Sequence, residues 1–273
     1  MNLDQIKAKL AGLNNNGNER EKVDYEKIFW KPTNGKHNIR IVPSVFTPDF
    51  PFKELKFHYN ISKFPMIALS NFGKQDPIEE FVKELRKTSD KDNWSLSGKL
   101  SPKTRILAPI VVRGEEEKGV RLWSFGTNIY KALLALAEDE DIGDYTDVMN
   151  GYDMVVEQTP GNPYPTTTVR IKPKTTPLST KNSEVDLWLK EQPNPMESFT
   201  QFDYEYIKKQ LQQYISPGEE TTQAPAEPTE SVQPVTPAAQ VPGTGLMEEP
   251  AYTFENATAG NKSTVNKFDD LFN

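Results

Sequence analysis

Cysteine is absent from the 273-residue chain, which excludes disulfides, thiolate metal sites and cysteine nucleophiles together. Histidine is almost absent: with only His37 and His58, histidine-based catalysis has little room. No Ser/His/Asp set, phosphate-binding glycine loop or dinucleotide fingerprint occurs. No apolar run reaches membrane-spanning length, and no signal-peptide core is present. A soluble protein of a reducing cytoplasm is the expectation, with no membrane partner.

Positive charge is scarce in one region only. Residues 216–273 hold 2 Lys+Arg against 9 Asp+Glu, so the whole net charge of −7 lies there. The remaining 215 residues are neutral in sum but polarised: residues 1–134 carry 23 basic and 16 acidic side chains, and residues 135–215 carry 7 and 14. A basic front and an acidic back conceal an affinity for phosphate behind a pI near 5.1.

The most informative stretch runs from Arg105 to Phe125. Ile106–Val112 is β-branched, a polar loop with Gly114 and Gly119 turns the chain, and Val120–Phe125 returns in alternation. Val120, Leu122 and Ser124 share one face, which suits a core; Arg121, Trp123 and Phe125 share the other. Facing solvent, that second face offers single-stranded nucleic acid rings to stack on and a fixed positive charge. The same pattern suits a strand whose rings fill a second core layer, and the hairpin alone leaves both open.

Around it, Gly35–Pro43 reads as a strand with Ile39 and Ile41 on one side and Asn38 and Arg40 on the other. The following segment interleaves Lys53, Lys56 and Lys63 with Phe52, Phe57, Tyr59 and Phe64. Asp76, Pro77 and Glu79 open a helix as cap, first residue and first-turn carboxylate, with Ile78, Phe81, Val82 and Leu85 as its buried stripe. Further helices are expected behind caps at Thr127, Ser183 and Asp203, the last with a Phe202–Ile207 staple. Two more strands are expected at Tyr152–Glu157 and Thr167–Lys172, with Val169 and Ile171 inward and Arg170 and Lys172 outward. The carboxylates near Asp139, Asp141 and Asp144 miss the spacing of a calcium loop and read as a solvated acidic turn. Some five short strands with inserted and appended helices make a β-rich α+β fold, an OB-fold-like Greek-key barrel.

The ends differ from this core, expected over residues 19–215. Within residues 1–18, Leu3, Ile6, Leu10 and Leu13, with Lys7 and Lys9 between them, form a short amphipathic helix followed by an Asn-rich link. Residues 216–273 have a disordered composition that finishes in Phe268, Asp269, Asp270, Leu271 and Phe272, an acidic and apolar tip suited to docking. Such a tail reaches about 40 Å, far enough to compete with nucleic acid for the basic front.

Together GKHNIRIVP (35–43), PFKELKFHY (51–59), DPIEEF (76–81), PIVVRGEEEKGVRLWSFG (109–126) and the acidic tip resemble the T-even-type phage single-stranded-DNA-binding proteins, helix-destabilising proteins of phage replication. The resemblance covers roughly residues 1–215. It implies stoichiometric binding to single strands without sequence preference during replication, recombination and repair, in the cytoplasm of an infected bacterial host. It also implies self-association along DNA through an N-terminal arm (Leu3, Ile6, Lys7, Lys9, Leu10) and recruitment of replication and recombination proteins through the tail. Trp123 would take a base-stacking position, with Arg105 and Arg121 lining the cleft. The full set expected to meet DNA is Lys31, Arg40, Lys53, Lys56, Tyr59, Lys103, Arg105, Arg113, Arg121, Trp123 and Phe125. If about four to six cations meet phosphates, log K should fall against log salt with a slope of about −3 to −4.

Relatives hold a structural zinc through one histidine and three cysteines. Here only His58 is present, and Asp76 and Glu79 stand where a Cys-x-x-Cys pair would be. No zinc and no other cofactor is expected; His58 remains the residual ligand candidate, and Phe64, Ile67, Phe72, Ile78 and Phe81 are expected to hold this region. A metal-dependent nuclease built on Asp139–Asp147, and a scaffold acting through its tail, are the competing readings.

Overall fold

The strand expected over Ile106–Val112 runs from Lys103 to Val112 in the computed structural model, which describes residues 25–47, 50–162, 164–216 and 262–272. The elements are α1 (Tyr25–Ile28), β1 (Phe29–Trp30), β2 (Gly35–Ile41), β3 (Lys53–His58), β4 (Met66–Ile67), α2 (Pro77–Arg86), α3 (Lys91–Leu100), β5 (Lys103–Val112), β6 (Arg121–Phe125), α4 (Thr127–Glu138), β7 (Tyr152–Thr159), β8 (Thr166–Thr175), α5 (Asn182–Lys190), α6 (Tyr204–Ile215) and α7 (Lys262–Phe272). The fold is α+β around one 8-stranded mixed sheet, ordered β1-β6-β5-β2-β7-β8, with β3 branching from β5 and β4 pairing with β3. The parallel pair is β1 with β6.

β5 organises this sheet. Residues 103–107 pair with β3 and residues 110–112 with β2, both along one edge, while β6 takes the other edge over 106–110. The β5–β6 loop turns at Gly114 (φ 92°) and Gly119 (φ 69°), backbone states that glycine adopts without a Cβ penalty.

β6 lies between two strands and is covered on both faces, which corrects the expectation of a solvent-facing ring strand. Trp123 is 1% exposed and Phe125 3%. Their rings lie 4.5 Å apart by centroid, and Trp30 meets Trp123 edge-on at 5.8 Å. With Ile39, Ile41, Phe52, Ile106, Met154 and others they fill the main core. Leu122 packs on the opposite side with Phe29, Leu55, Phe57 and Leu107. An alternating strand has two faces, and here a layer of residues covers each.

The helices follow their signals with small shifts. Asp76 caps α2, accepting from the amides of Ile78 and Glu79, and Asp203 caps α6 through Tyr206. α4 begins at Thr127 itself behind Gly126, and α5 begins at Asn182 behind Lys181, so neither Thr127 nor Ser183 is the cap. Helices α2, α3, α6 and α7 share a second core built on Ile78, Phe81, Leu85, Leu100, Ile207 and Leu211. Of the five residues expected to hold the His58 region, Ile78 and Phe81 belong to this helical core, whereas Ile67 and Phe72 pack with Phe57 on the sheet.

The N-terminal arm lies outside the described residues, as do 217–261. The end of the tail does not stay free: Lys262–Phe272 is the helix α7, packed on the helical core.

Candidate nucleic-acid interface

Pairing of β3 with β5 gathers four of the expected cations. Leu55 stands opposite Arg105, Lys56 opposite Thr104, Phe57 opposite Lys103 and Lys53 opposite Leu107. Lys53, Arg105 and Lys103 therefore share one face as cross-strand and diagonal neighbours, and Lys56 lies on the other. Lys56 and Lys103 are exposed, Lys53 and Arg105 half-buried. The Arg105 guanidinium reaches Ser124 on β6, 3.4 Å from its hydroxyl oxygen. It also lies beside Gly126, where a Cβ would come within 3.8 Å of its terminal nitrogen. Gly126 is the N-cap of α4, and no side chain caps that helix. A guanidinium next to uncapped helix amides is a suitable surrounding for an anion.

Aromatic surface borders the start of β3. Phe50 is 40% exposed and meets Phe52 at 5.2 Å and Tyr130 at 6.4 Å. The Tyr130 hydroxyl donates to Glu54 at 3.0 Å, tying the first turn of α4 to β3. Burial first, then the bond to Glu54 and its charge, push the Tyr130 hydroxyl up to about 12, so it stays a neutral donor at physiological pH. Phe50 and Tyr130 were not among the expected residues. Phe50 sits in a PDFPF stretch outside any periodic segment, and Tyr130 in a helix where it packs on the main core together with Ile129, Leu133, Leu134 and Leu136.

The remaining expected cations are placed elsewhere. Lys31 is exposed at the end of β1, two strands from β5. Arg40 is 0% exposed. It donates to Asp153 (3.4 Å), to the Thr176 hydroxyl (3.1 Å) and carbonyl (2.6 Å), and to the Asp147 carbonyl (3.0 Å). Arg113 holds Asp153 at 2.9 Å and the Leu178 carbonyl at 2.8 Å. Arg121 is buried along β6 and donates to Glu115 at 2.7 Å. These three are corrected from phosphate contacts to internal ion pairs: each faces a carboxylate, Arg40 and Arg121 are enclosed by the fold, and the half-buried Arg113 is held by Asp153 and the Leu178 carbonyl. Tyr59 is half-buried and packs on Phe57. Gly151 completes the Arg40 site, since a Cβ there would lie 2.6 Å from the guanidinium and 2.4 Å from the Asp147 carbonyl. Gly151→Ala is expected to cost roughly 1–3 kcal/mol by overpacking, read as a lower denaturant midpoint.

His58 and Asp76 form a buried pair, Nε2 to Oδ2 at 3.0 Å. The same Oδ2 accepts from the Leu69 amide, while Oδ1 accepts from Ile78 and Glu79. Glu79 accepts from the Ser70 hydroxyl. The carboxylates standing at the relatives' cysteine positions thus serve as acceptors for protein donors, and this set does not fit zinc. Among the described residues, no group of three or more His, Asp or Glu is placed to hold a metal. Burial pushes the Asp76 carboxyl up, but the bond and field of His58 and the amide bonds outweigh it and hold it below the usual carboxylate value. Its contribution to stability is then complete above the ordinary value and lost as pH falls through the depressed folded value. The melting-temperature advantage of the wild type over Asp76→Asn should accordingly shrink below about pH 4; an advantage that grows with acid would contradict this.

The acidic turn is likewise occupied locally. Asp139 accepts from the Asp141 amide, Asp144 from the Thr146 amide and hydroxyl, and Asp147 from the amides of Met149 and Asn150. These carboxylates shape turns and do not converge.

A family model described as gp32 DNA binding protein like matches residues 33–223. No curated protein matches the chain.

Proposed function

Since the chain belongs to the gp32 DNA-binding-protein-like family, single-stranded-DNA-binding proteins and not enzymes, we propose that it coats single strands without sequence preference through the surface where β3, β5 and the start of α4 meet. The observation that carries the reading is the β3–β5 register, which sets Lys53, Lys103 and Arg105 on one face of the strand pair, with Arg105 beside the uncapped start of α4. The Phe50–Tyr130 rings, tied to β3 through Glu54, border the opposite face, where Lys56 lies. Cations there neutralise phosphates, each adding about −0.7 to the slope of log K against log salt. Ring stacking adds roughly 1–3 kcal/mol per base. A duplex hides its base faces, so the stacking contribution selects single strands and traps melted DNA.

In this reading the sheet around β5 acts as an OB-type barrel with α2 and α3 inserted. Residues 1–18, with Leu3, Ile6, Lys7, Lys9 and Leu10, join neighbouring molecules along the strand. The setting is replication, recombination and repair of phage DNA in the host cytoplasm. Fluorescence anisotropy with a labelled oligothymidylate and a duplex of equal length tests the class. At matched salt we expect at least a roughly tenfold preference for the single strand; equal affinity for both would overturn the reading.

A further inference from the structure

The tip of the tail was expected to present Phe268, Leu271 and Phe272 to partner proteins. α7 turns these residues inward instead. Phe268 is buried and meets Phe81 of α2 edge-on at 5.8 Å. Phe272 lies 6.4 Å from the Tyr204 ring of α6, and Val265, Leu271 and Phe272 are partly buried against the same core. Thr264, Val265, Phe268, Leu271 and Phe272 have the spacing by which an amphipathic helix fills a groove. Asp269 and Asp270 remain exposed.

Two polar contacts make this more than apolar contact. Lys208 of α6 donates to the Phe272 carbonyl at 3.1 Å and lies 5.3 Å above the Phe272 ring. A cation thus caps the negative end of the α7 dipole. Within the groove, Asn93 of α3 is fully buried and accepts from the buried Thr264 hydroxyl at 2.9 Å. Leaving that buried carbonyl oxygen unpaired would cost about 1–3 kcal/mol, so the groove is suited to an occupant with a hydroxyl at that position, although the Asn93 Nδ2 has no hydrogen-bond partner among the described residues.

We propose that the α2–α3–α6 groove is a docking site for the chain's own C-terminal helix, and that it latches the apolar docking face shut. In the latched state a partner meets only the acidic side of α7. A partner that reads Phe268, Leu271 and Phe272 has to displace the helix, which in turn opens an apolar groove on the core. Residues 217–261 give up to about 150 Å of chain, ample for intramolecular docking, and the shared chain raises the effective concentration into the millimolar range. The proposal stands apart from the DNA reading, since none of its residues belongs to the β3–β5 surface.

Hydrogen exchange on the full chain tests the latch first. Amides of residues 265–272 should exchange at least about tenfold more slowly than a coil at every protein concentration, and faster in the Phe268→Ala/Phe272→Ala variant. Coil-like exchange in the wild type would overturn the proposal. So would protection that appears only as concentration rises, because the helix would then sit on a second copy. A fluorescent peptide of residues 261–273 supplies the second readout. The double variant, its groove vacated, should bind the peptide at least about tenfold more tightly than the wild type; equal binding to both, or binding to neither, would contradict a latch. DNA affinity of the variant separates this question from the proposed function.

Discussion

Asp153→Ala is expected to destabilise the protein by about 3–5 kcal/mol, the usual consequence of leaving a buried charge without its partner. Asp153 takes Arg40 and Arg113 on one oxygen, at 3.4 and 2.9 Å, and Lys172 approaches the other at 3.9 Å. Removing the carboxylate leaves two guanidinium groups side by side, one of them fully enclosed. Burial already lowers the Arg40 pKa, an effect that Asp153 opposes and Arg113 reinforces. For a domain of this size the loss should lower the melting temperature by on the order of 10 °C. Asp153→Asn retains the shape and part of the hydrogen bonding, so its loss should be smaller. A melting temperature unchanged in Asp153→Ala would mean that Arg40 and Arg113 are not held as described and are available to phosphate after all.

The second large effect concerns binding. Phe50→Ala should weaken single-stranded DNA binding by about 1–3 kcal/mol, roughly 5- to 150-fold, if its ring stacks on a base. The ring is 40% exposed and touches its neighbours only by edge contacts, so the fold should survive with little change in melting temperature. Trp123→Phe should behave in the opposite way. The enclosed Trp123 ring contributes packing, so stability falls while the salt dependence of binding stays as it was. Binding unaffected by Phe50→Ala but strongly reduced by Trp123→Phe at equal stability would return the stacking role to β6.

Strand existence was legible in the hairpin because alternation and paired glycines mark it. Which face is covered was not legible, because a period of two separates the faces without saying what lies against either. The pattern therefore left the Trp123 and Phe125 face open, and the resemblance placed it outward, while Trp30, Phe52 and Ile39 enclose the two rings from distant parts of the chain. The cations show the same limit. Sequence counts Arg40, Arg113 and Arg121 with the lysines, but Asp153 lies 113 residues from Arg40 and nothing local announces the pair. β3 was visible only as interleaved charge and aromatics, since Lys53, Glu54 and Lys56 interrupt its apolar pattern. α3 was missed because its buried positions include Asn93 and Ser97, which carry no apolar stripe. Conversely, the Asp76 and Asp203 caps were readable because each is a local event. The spacing in the tip was readable as well; its partner was not, since the groove is assembled from residues near 81, 93 and 208.

The salt dependence of single-stranded DNA binding, compared between the wild type and Lys103→Ala/Arg105→Ala, tests the interface most directly. Two lost phosphate contacts should make the slope of log K against log salt shallower by about 1.4 and weaken binding roughly 25-fold at 0.1 M salt, with melting temperature little changed. An unchanged slope and affinity in that variant would mean that DNA binds elsewhere on the molecule.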